Sequence, residues 1–271
     1  MRLKKALGQY WLHDPSYQAR IVEAVAPEPG DEIVEIGPGA GALTHHLAGR
    51  ARRLVLIELD RTLAAELERR FGPARAVVVA GDALKVDLPG LVERWDDAKI
   101  VGNIPYRITS PLLEKILGTR PRPREIIFTL QAEVADRLAA PPGGKAYGAL
   151  TVGIRAVADV EVLFRIPRGA FRPVPNVDSA ALRITPHRPP RLEPADERDL
   201  RALTRAAFSR RRKQMQTILR DAPEYALSAA DAHALLGEVG VPPAARPETV
   251  HPETFIRLAR ALRRLGRPLD G

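Results

Sequence analysis

Short runs of aliphatic and β-branched residues recur through the first two-thirds of the chain, separated by stretches with helical spacing of apolar positions. The runs Glu32–Ile36, Leu54–Glu58, Ala76–Val79, Lys99–Val101 and Glu125–Leu130 read as buried strands. Helical patterns fill the gaps at Leu43–Ala48, Thr62–Arg70, Pro111–Leu117 and Ala132–Leu138. Such alternation predicts an α/β fold with a wound, mostly parallel sheet. Two further strands, Val160–Arg165 and Ala180–Thr185, are joined only by a loop, which allows an antiparallel pair. After the proline cluster Pro186-His-Arg-Pro-Pro190 no strand pattern remains. Asp196–Ala222, Ser228–Gly237 and Pro252–Leu265 all read as helices. The chain is therefore expected to carry an α/β domain over residues 1–187 and a small all-helical domain over 188–271.

Composition narrows the class. The 271 residues are 45% hydrophobic and 28% charged, enough apolar content for a buried core. No apolar run approaches membrane-spanning length, and no apolar stretch follows the basic N-terminus as in a secretory signal. Cysteine is absent, which removes disulfides, thiolate metal sites and thiol nucleophiles. No metal-ligand spacing is visible, and a cytoplasmic location is expected. The net charge of +9 suits a polyanionic partner, though an arginine-rich solubility surface would give the same sum.

Candidate chemistry begins at Glu35-Ile-Gly37-Pro-Gly39-Ala-Gly41, between a strand and a helix. Glycines serve where a chain turns sharply and its backbone must approach a ligand. The same spacing also fits a loose dinucleotide fingerprint or a plain tight turn. Glu58 ends the next strand, about 20 residues on, where an acid can accept both hydroxyls of a ribose. Asp82 ends the third strand in Gly81-Asp82-Ala, where it can face the exocyclic amine of a cofactor adenine or cap an ordinary turn.

Val101-Gly-Asn103-Ile-Pro105-Tyr106 closes the fourth strand. An aryl amine is a weak nucleophile because its lone pair is delocalised into the ring. The Asn103 side-chain carbonyl and the Pro105 main-chain carbonyl can both accept N–H bonds from such an amine and draw it toward tetrahedral geometry. Tyr106 offers a face on which a flipped-out base can stack, worth about 1–3 kcal/mol. Phe171, in Phe171-Arg-Pro173-Val-Pro175, is placed to cover the other face, or to anchor an irregular loop in the core.

Together these segments resemble the ribosomal RNA adenine N6,N6-dimethyltransferases. Lys4-Lys-Ala-Leu-Gly-Gln9-Tyr10-Trp-Leu12 is similar to that family's N-terminal segment, with Tyr10 where asparagine is usual. Phe208-Ser-Arg210-Arg211-Arg212-Lys213 is similar to the Arg-Arg-Lys helix of its small-subunit branch. The resemblance implies a Rossmann-like class I methyltransferase fold with a seven-stranded sheet, followed by a helical RNA-binding domain. It implies S-adenosylmethionine bound by Tyr10, Leu12, Gly37, Gly39, Glu58, Asp82 and Asn103. It implies a target adenine held by Asn103, Pro105, Tyr106 and Phe171, and 16S rRNA of the small ribosomal subunit as the partner; a monomer is expected. Arg210, Arg211, Arg212 and Lys213 are expected on a helix that meets RNA phosphate. A DNA adenine methyltransferase, a nicotinamide dehydrogenase and a non-catalytic RNA-binding assembly factor are the competing readings.

Overall fold

A computed structural model describes residues 10–266. The described residues divide into two compact units, one of residues 10–135 and 160–186, the other of 136–159 and 187–266.

The first unit is built on a seven-stranded sheet. Its strands are β2 (Glu32–Ile36), β3 (Arg53–Glu58), β4 (Val77–Ala80), β5 (Lys99–Asn103), β6 (Glu125–Gln131), β7 (Ala158–Ile166) and β9 (Ser179–Pro186). They lie in the order β4-β3-β2-β5-β6-β9-β7. The pairs β2–β3, β3–β4, β2–β5 and β5–β6 are parallel, and β9 runs antiparallel to β6. The central strands are buried on both faces, as the aliphatic residues that dominate Glu32–Ile36 and Arg53–Glu58 require. The strands read from sequence appear within two residues of their expected limits.

Two elements carried no clear pattern in the sequence. Helix α1 (Pro15–Val25) is capped by Asp14, whose carboxylate accepts from Ser16 N at 2.9 Å, and it buries Ile21, Val22 and Val25. A separate two-stranded ladder joins β1 (Trp11–Leu12) to β8 (Phe171–Arg172), with Leu12 opposite Phe171. Lys4–Gln9 lies outside the described residues.

Strand order reverses between β2 and β5. The chain moves outward from β2 through β3 to β4, then returns to place β5 on the other side of β2. Ligand crevices form at the carboxyl ends of strands at such a switch point. The two strands approach so closely there that a Cβ at Gly102 would land on the Ile36 carbonyl oxygen.

The second unit is helical: α6 (Ala149–Arg155), α7 (Pro194–Ser209), α8 (Met215–Asp221), α9 (Ala229–Val239) and α10 (Pro252–Arg264). The sequence pattern suggested one helix over Asp196–Ala222, but a turn at 210–214 divides it in two. The break has a partner-based cause. Met215 N and Gln216 N, at the start of α8, donate to the carbonyls of Ala245 and Pro243 instead of continuing the α7 ladder.

Gly102→Ala is expected to destabilise the protein by about 1–3 kcal/mol through overpacking. Gly153→Ala in α6, where an added Cβ meets nothing within 4 Å, should be neutral or stabilising. Denaturant midpoints at constant slope check both.

Candidate active site

The carboxyl ends of β2, β3, β4 and β5 converge on a cleft of about 410 Å³, lined by Tyr10, Gly37, Gly39, Glu58, Asp82, Asn103 and Pro105 among others. Seven residues distributed between positions 10 and 105 thus share one cavity.

The glycine loop forms the first wall. Gly37 and Gly39 have φ of 69° and 58°, a region that disfavours side chains. The Trp11 indole covers Gly39 so closely that its Nε1 would sit 3.1 Å from an added Cβ. Gly39 N–H donates to Glu58 Oε2 at 3.0 Å, and Asp60 N–H donates to Oε1 at 2.9 Å. Glu58 is thereby fixed at the cleft, with a second acceptor site left on each oxygen. Its carboxyl is pushed up by burial, an effect that the Asp60 and Gly39 amides partly offset.

Asp82 combines both roles considered for it. Its Oδ1 accepts from Leu84 N at 2.9 Å, the arrangement of a turn cap, while the residue lines the cleft. Lys115 on α4 (Thr109–Leu117) secures this turn from below. Its ammonium donates to the carbonyl of Ala83 at 3.0 Å and to that of Val86.

Asn103 ends β5, in register with Thr129 of β6. Its Nδ2 donates to the Tyr10 carbonyl at 2.7 Å. The Pro105 carbonyl accepts from Ile108 N at 3.0 Å and keeps a second lone pair. Tyr106 opens the short 3₁₀ turn Tyr106–Ile108; its side chain lies outside the described residues.

The side chains of two residues expected at the site are buried. Phe171 is 1% exposed and Leu12 3%, and both belong to the core cluster with Ile21 and Val22. Neither lines the cleft. The β1–β8 ladder places Leu12 opposite Phe171, with both side chains in the core. Trp11 and Tyr10 line the cleft in place of Leu12.

The basic run needs a second correction. Arg210 to Lys213 form a turn, not a helix, and two of the four are engaged in holding it. Arg211 donates to the carbonyls of Lys145 at 2.8 Å and Gly144 at 3.0 Å, and Arg210 lies 3.9 Å from Glu224. Arg212 and Lys213 are exposed.

Sequence reasoning also passed over Glu35. It is buried at the end of β2, where its Oε2 accepts from the Thr44 hydroxyl at 2.7 Å. Burial pushes its carboxyl up to about 7, against the opposing Thr44 hydrogen bonds. An acid inside an aliphatic run was the available signal.

Among known proteins, the family model "Ribosomal RNA adenine dimethylase" matches residues 1–260. Proteins named ribosomal RNA small subunit methyltransferase A are similar over nearly the whole chain. That of Acidithiobacillus ferrooxidans is 42% identical over 260 residues, covering 96% of this chain and 94% of its own. That of Geobacter metallireducens is 41% identical, covering 98% of each. Among solved structures, a dimethyladenosine transferase from Plasmodium falciparum aligns with a TM-score of 0.81 at 25% identity, covering 95% of this chain and 99% of its own. The 23S rRNA methyltransferase ErmE aligns at 0.73 and 29% identity, covering 93% and 99%.

The raised Glu35 carboxyl has a thermodynamic consequence. Between its unfolded value of 4.5 and its folded value of about 7, the folded state holds a proton that the unfolded state has lost. Stability therefore falls as pH rises through that window, by about 3 kcal/mol in total from this group. Glu35→Gln should flatten this part of the pH dependence of Tm, while retaining an acceptor for Thr44. An unchanged slope from pH 5 to 7 would contradict the assignment.

Proposed function

The chain belongs to the ribosomal RNA adenine dimethylase family, and from that premise we infer that it dimethylates N6 of two adjacent adenosines near the 3′ end of 16S rRNA. The donor is S-adenosylmethionine, and the enzyme acts on the small ribosomal subunit or its precursor as a cytoplasmic monomer. The identity of 40–42% to small-subunit enzymes over nearly the full chain supports this branch.

One observation carries the chemistry. Asn103 and Pro105 present acceptors at the carboxyl edge of β5, in the same cleft as Glu58 and Asp82. The fit to the donor rests on the cleft itself: backbone made bare by Gly37 and Gly39, a fixed carboxylate at Glu58, and an acid at Asp82. Glu58 would hold the ribose hydroxyls, and Asp82 the exocyclic amine of the donor's adenine. Bound there, S-adenosylmethionine supplies an electrophilic sulfonium methyl.

The protein's own task is positioning. Asn103 Oδ1 and the Pro105 carbonyl accept the two N–H bonds of the target amine, localising its lone pair and aiming it into the cleft. Tyr106 supplies a stacking face in this reading. No strong general base is required, because an alkylated aryl amine sheds its surplus proton readily. Catalysis then comes from orientation and preorganised acceptors. Arg212 and Lys213, exposed on the turn after α7, are the cations of the basic run left to meet RNA phosphate.

Transfer of labelled methyl to unmethylated small-subunit particles should yield N6,N6-dimethyladenosine at adjacent positions. Labelling of large-subunit RNA or DNA instead would overturn the branch, and no labelling of any nucleic acid would sink the enzymatic reading. Asn103→Ala should keep RNA affinity and reduce transfer by about 10²–10³. Neutralising Arg212 and Lys213 should lower the salt dependence of RNA binding by about two counterions, leaving cofactor affinity unchanged. An unaltered salt slope removes the turn from the interface.

A further inference from the structure

We propose that the main-chain carbonyl of Tyr10 is a positioning group that decides which end of the Asn103 amide the substrate meets. The proposal rests on the functional reading above and goes beyond it, because it assigns the N-terminal strand a part in orienting the target amine.

An asparagine amide has a donor end and an acceptor end that differ little in shape. Free to rotate, it could present either to the cleft. Turned the wrong way, it would set its NH₂ against the NH₂ of an aryl amine, donor against donor. The Tyr10 carbonyl removes that freedom. Nδ2 donates to it at 2.7 Å, and the opposite rotamer would bring two oxygens to that distance. Oδ1 is left without a hydrogen bond to the described residues and is not among the buried polar atoms lacking partners, so it faces accessible space in the cleft that Asn103 lines.

The carbonyl is itself held. Tyr10 directly precedes β1, whose Trp11 and Leu12 pair with Arg172 and Phe171. The strand continues into His13 and Asp14, whose amides donate to the Ala170 carbonyl at 2.8 and 3.2 Å. Gln18 Nε2 donates to the Leu12 carbonyl at 2.9 Å. Leu12 and Phe171 anchor the pair in the core. On the other side, Asn103 is fixed by its register with Thr129 and by Ile104 N donating to the Thr129 carbonyl at 3.2 Å. Phe171 thus acts on the reaction through Asn103, as a buried anchor of the strand that carries the carbonyl.

The chain contains two asparagines, Asn103 and the exposed Asn176, so ¹⁵N-asparagine labelling yields two side-chain NH₂ signals. In the cofactor-free parent protein, one pair should show slowed exchange with solvent and restricted rotation, and Asn103→Ala should delete it. Two solvent-like pairs would overturn the proposal.

A functional test uses Asn103→Asp. An ionised carboxylate would set oxygen against the Tyr10 carbonyl, whereas the protonated acid can donate to it and still offer an acceptor to the amine. The introduced carboxyl should titrate at least about one unit above the usual aspartate value of ~3.9. The variant's methyl transfer, relative to the parent, should rise about tenfold per pH unit on lowering pH toward that midpoint. Glu35, Glu58, Asp82 and Arg107 share the surroundings, and dividing by the parent's profile removes what is common to both proteins. A carboxyl titrating in the ordinary range, or a variant whose relative activity climbs with pH, would count against the positioning role.

Phe171→Leu separates anchor from stacker. It keeps an apolar plug but no aromatic face, so the KM for RNA should stay within about threefold of the parent, any loss falling on kcat through the loosened strand. A KM for RNA raised tenfold or more would return Phe171 to the base. Should the parent transfer no methyl to adenosine while its amide signal is protected, the functional reading fails and the hydrogen bond stands. Should it transfer methyl with an unprotected amide, the reverse holds.

Discussion

Everything at the site depends on how closely β5 approaches β2 where the strand order reverses. The contact is main chain against main chain, with Gly102 facing the Ile36 carbonyl and no room for a methyl group. That closeness brings the ends of β2 and β5 to one crevice, so the glycine loop after β2 and Asn103 at the end of β5 face the same space. Parallel pairing then adds β3 and β4 in step, delivering Glu58 and Asp82 to the same edge. A bulkier residue at 102 would move two walls of the cleft at once.

Within that crevice, polar groups are fixed by backbone and not by charge. Glu58 is held by two main-chain amides, Asn103 by a main-chain carbonyl and Asp82 by the amide of Leu84. Hydrogen bonds to the backbone orient a side chain as firmly as the strand that carries them. They also leave the side chain's remaining lone pairs for a ligand. Lys115 extends the same economy to the rim, using one ammonium to fasten the carbonyls behind Asp82.

Most of the first unit was legible in the sequence because its central strands are buried on both faces and read as largely apolar runs. The site residues on strand ends were legible for the same reason: once a strand is placed, its carboxyl end is placed. Phe171 and Leu12 were not. Their ladder has two residues per strand, too short to show a period, and only the tertiary pairing reveals which way each side chain turns. The basic run failed differently. Four consecutive cations look like a solvated helix face, yet Arg211 is drawn to the carbonyls of Gly144 and Lys145, 67 and 66 positions away in the sequence. Long-range caps of that kind leave no local trace.

The choice of an amide at position 103 follows from the charges already present. Glu35 and Glu58 lie close enough that each ionised carboxylate raises the cost of the other, and Glu35 is pushed up to about 7 in consequence of burial first and of Glu58 last. Asp82 adds a further acid to the same cleft. A fourth carboxylate, on β5, would have its ionised form disfavoured by these neighbours and by the Tyr10 carbonyl. An amide offers the same acceptor geometry with no charge to desolvate. It has one weakness, the near-equivalence of its two ends, and the Tyr10 carbonyl at 2.7 Å is the feature of this structure that resolves it.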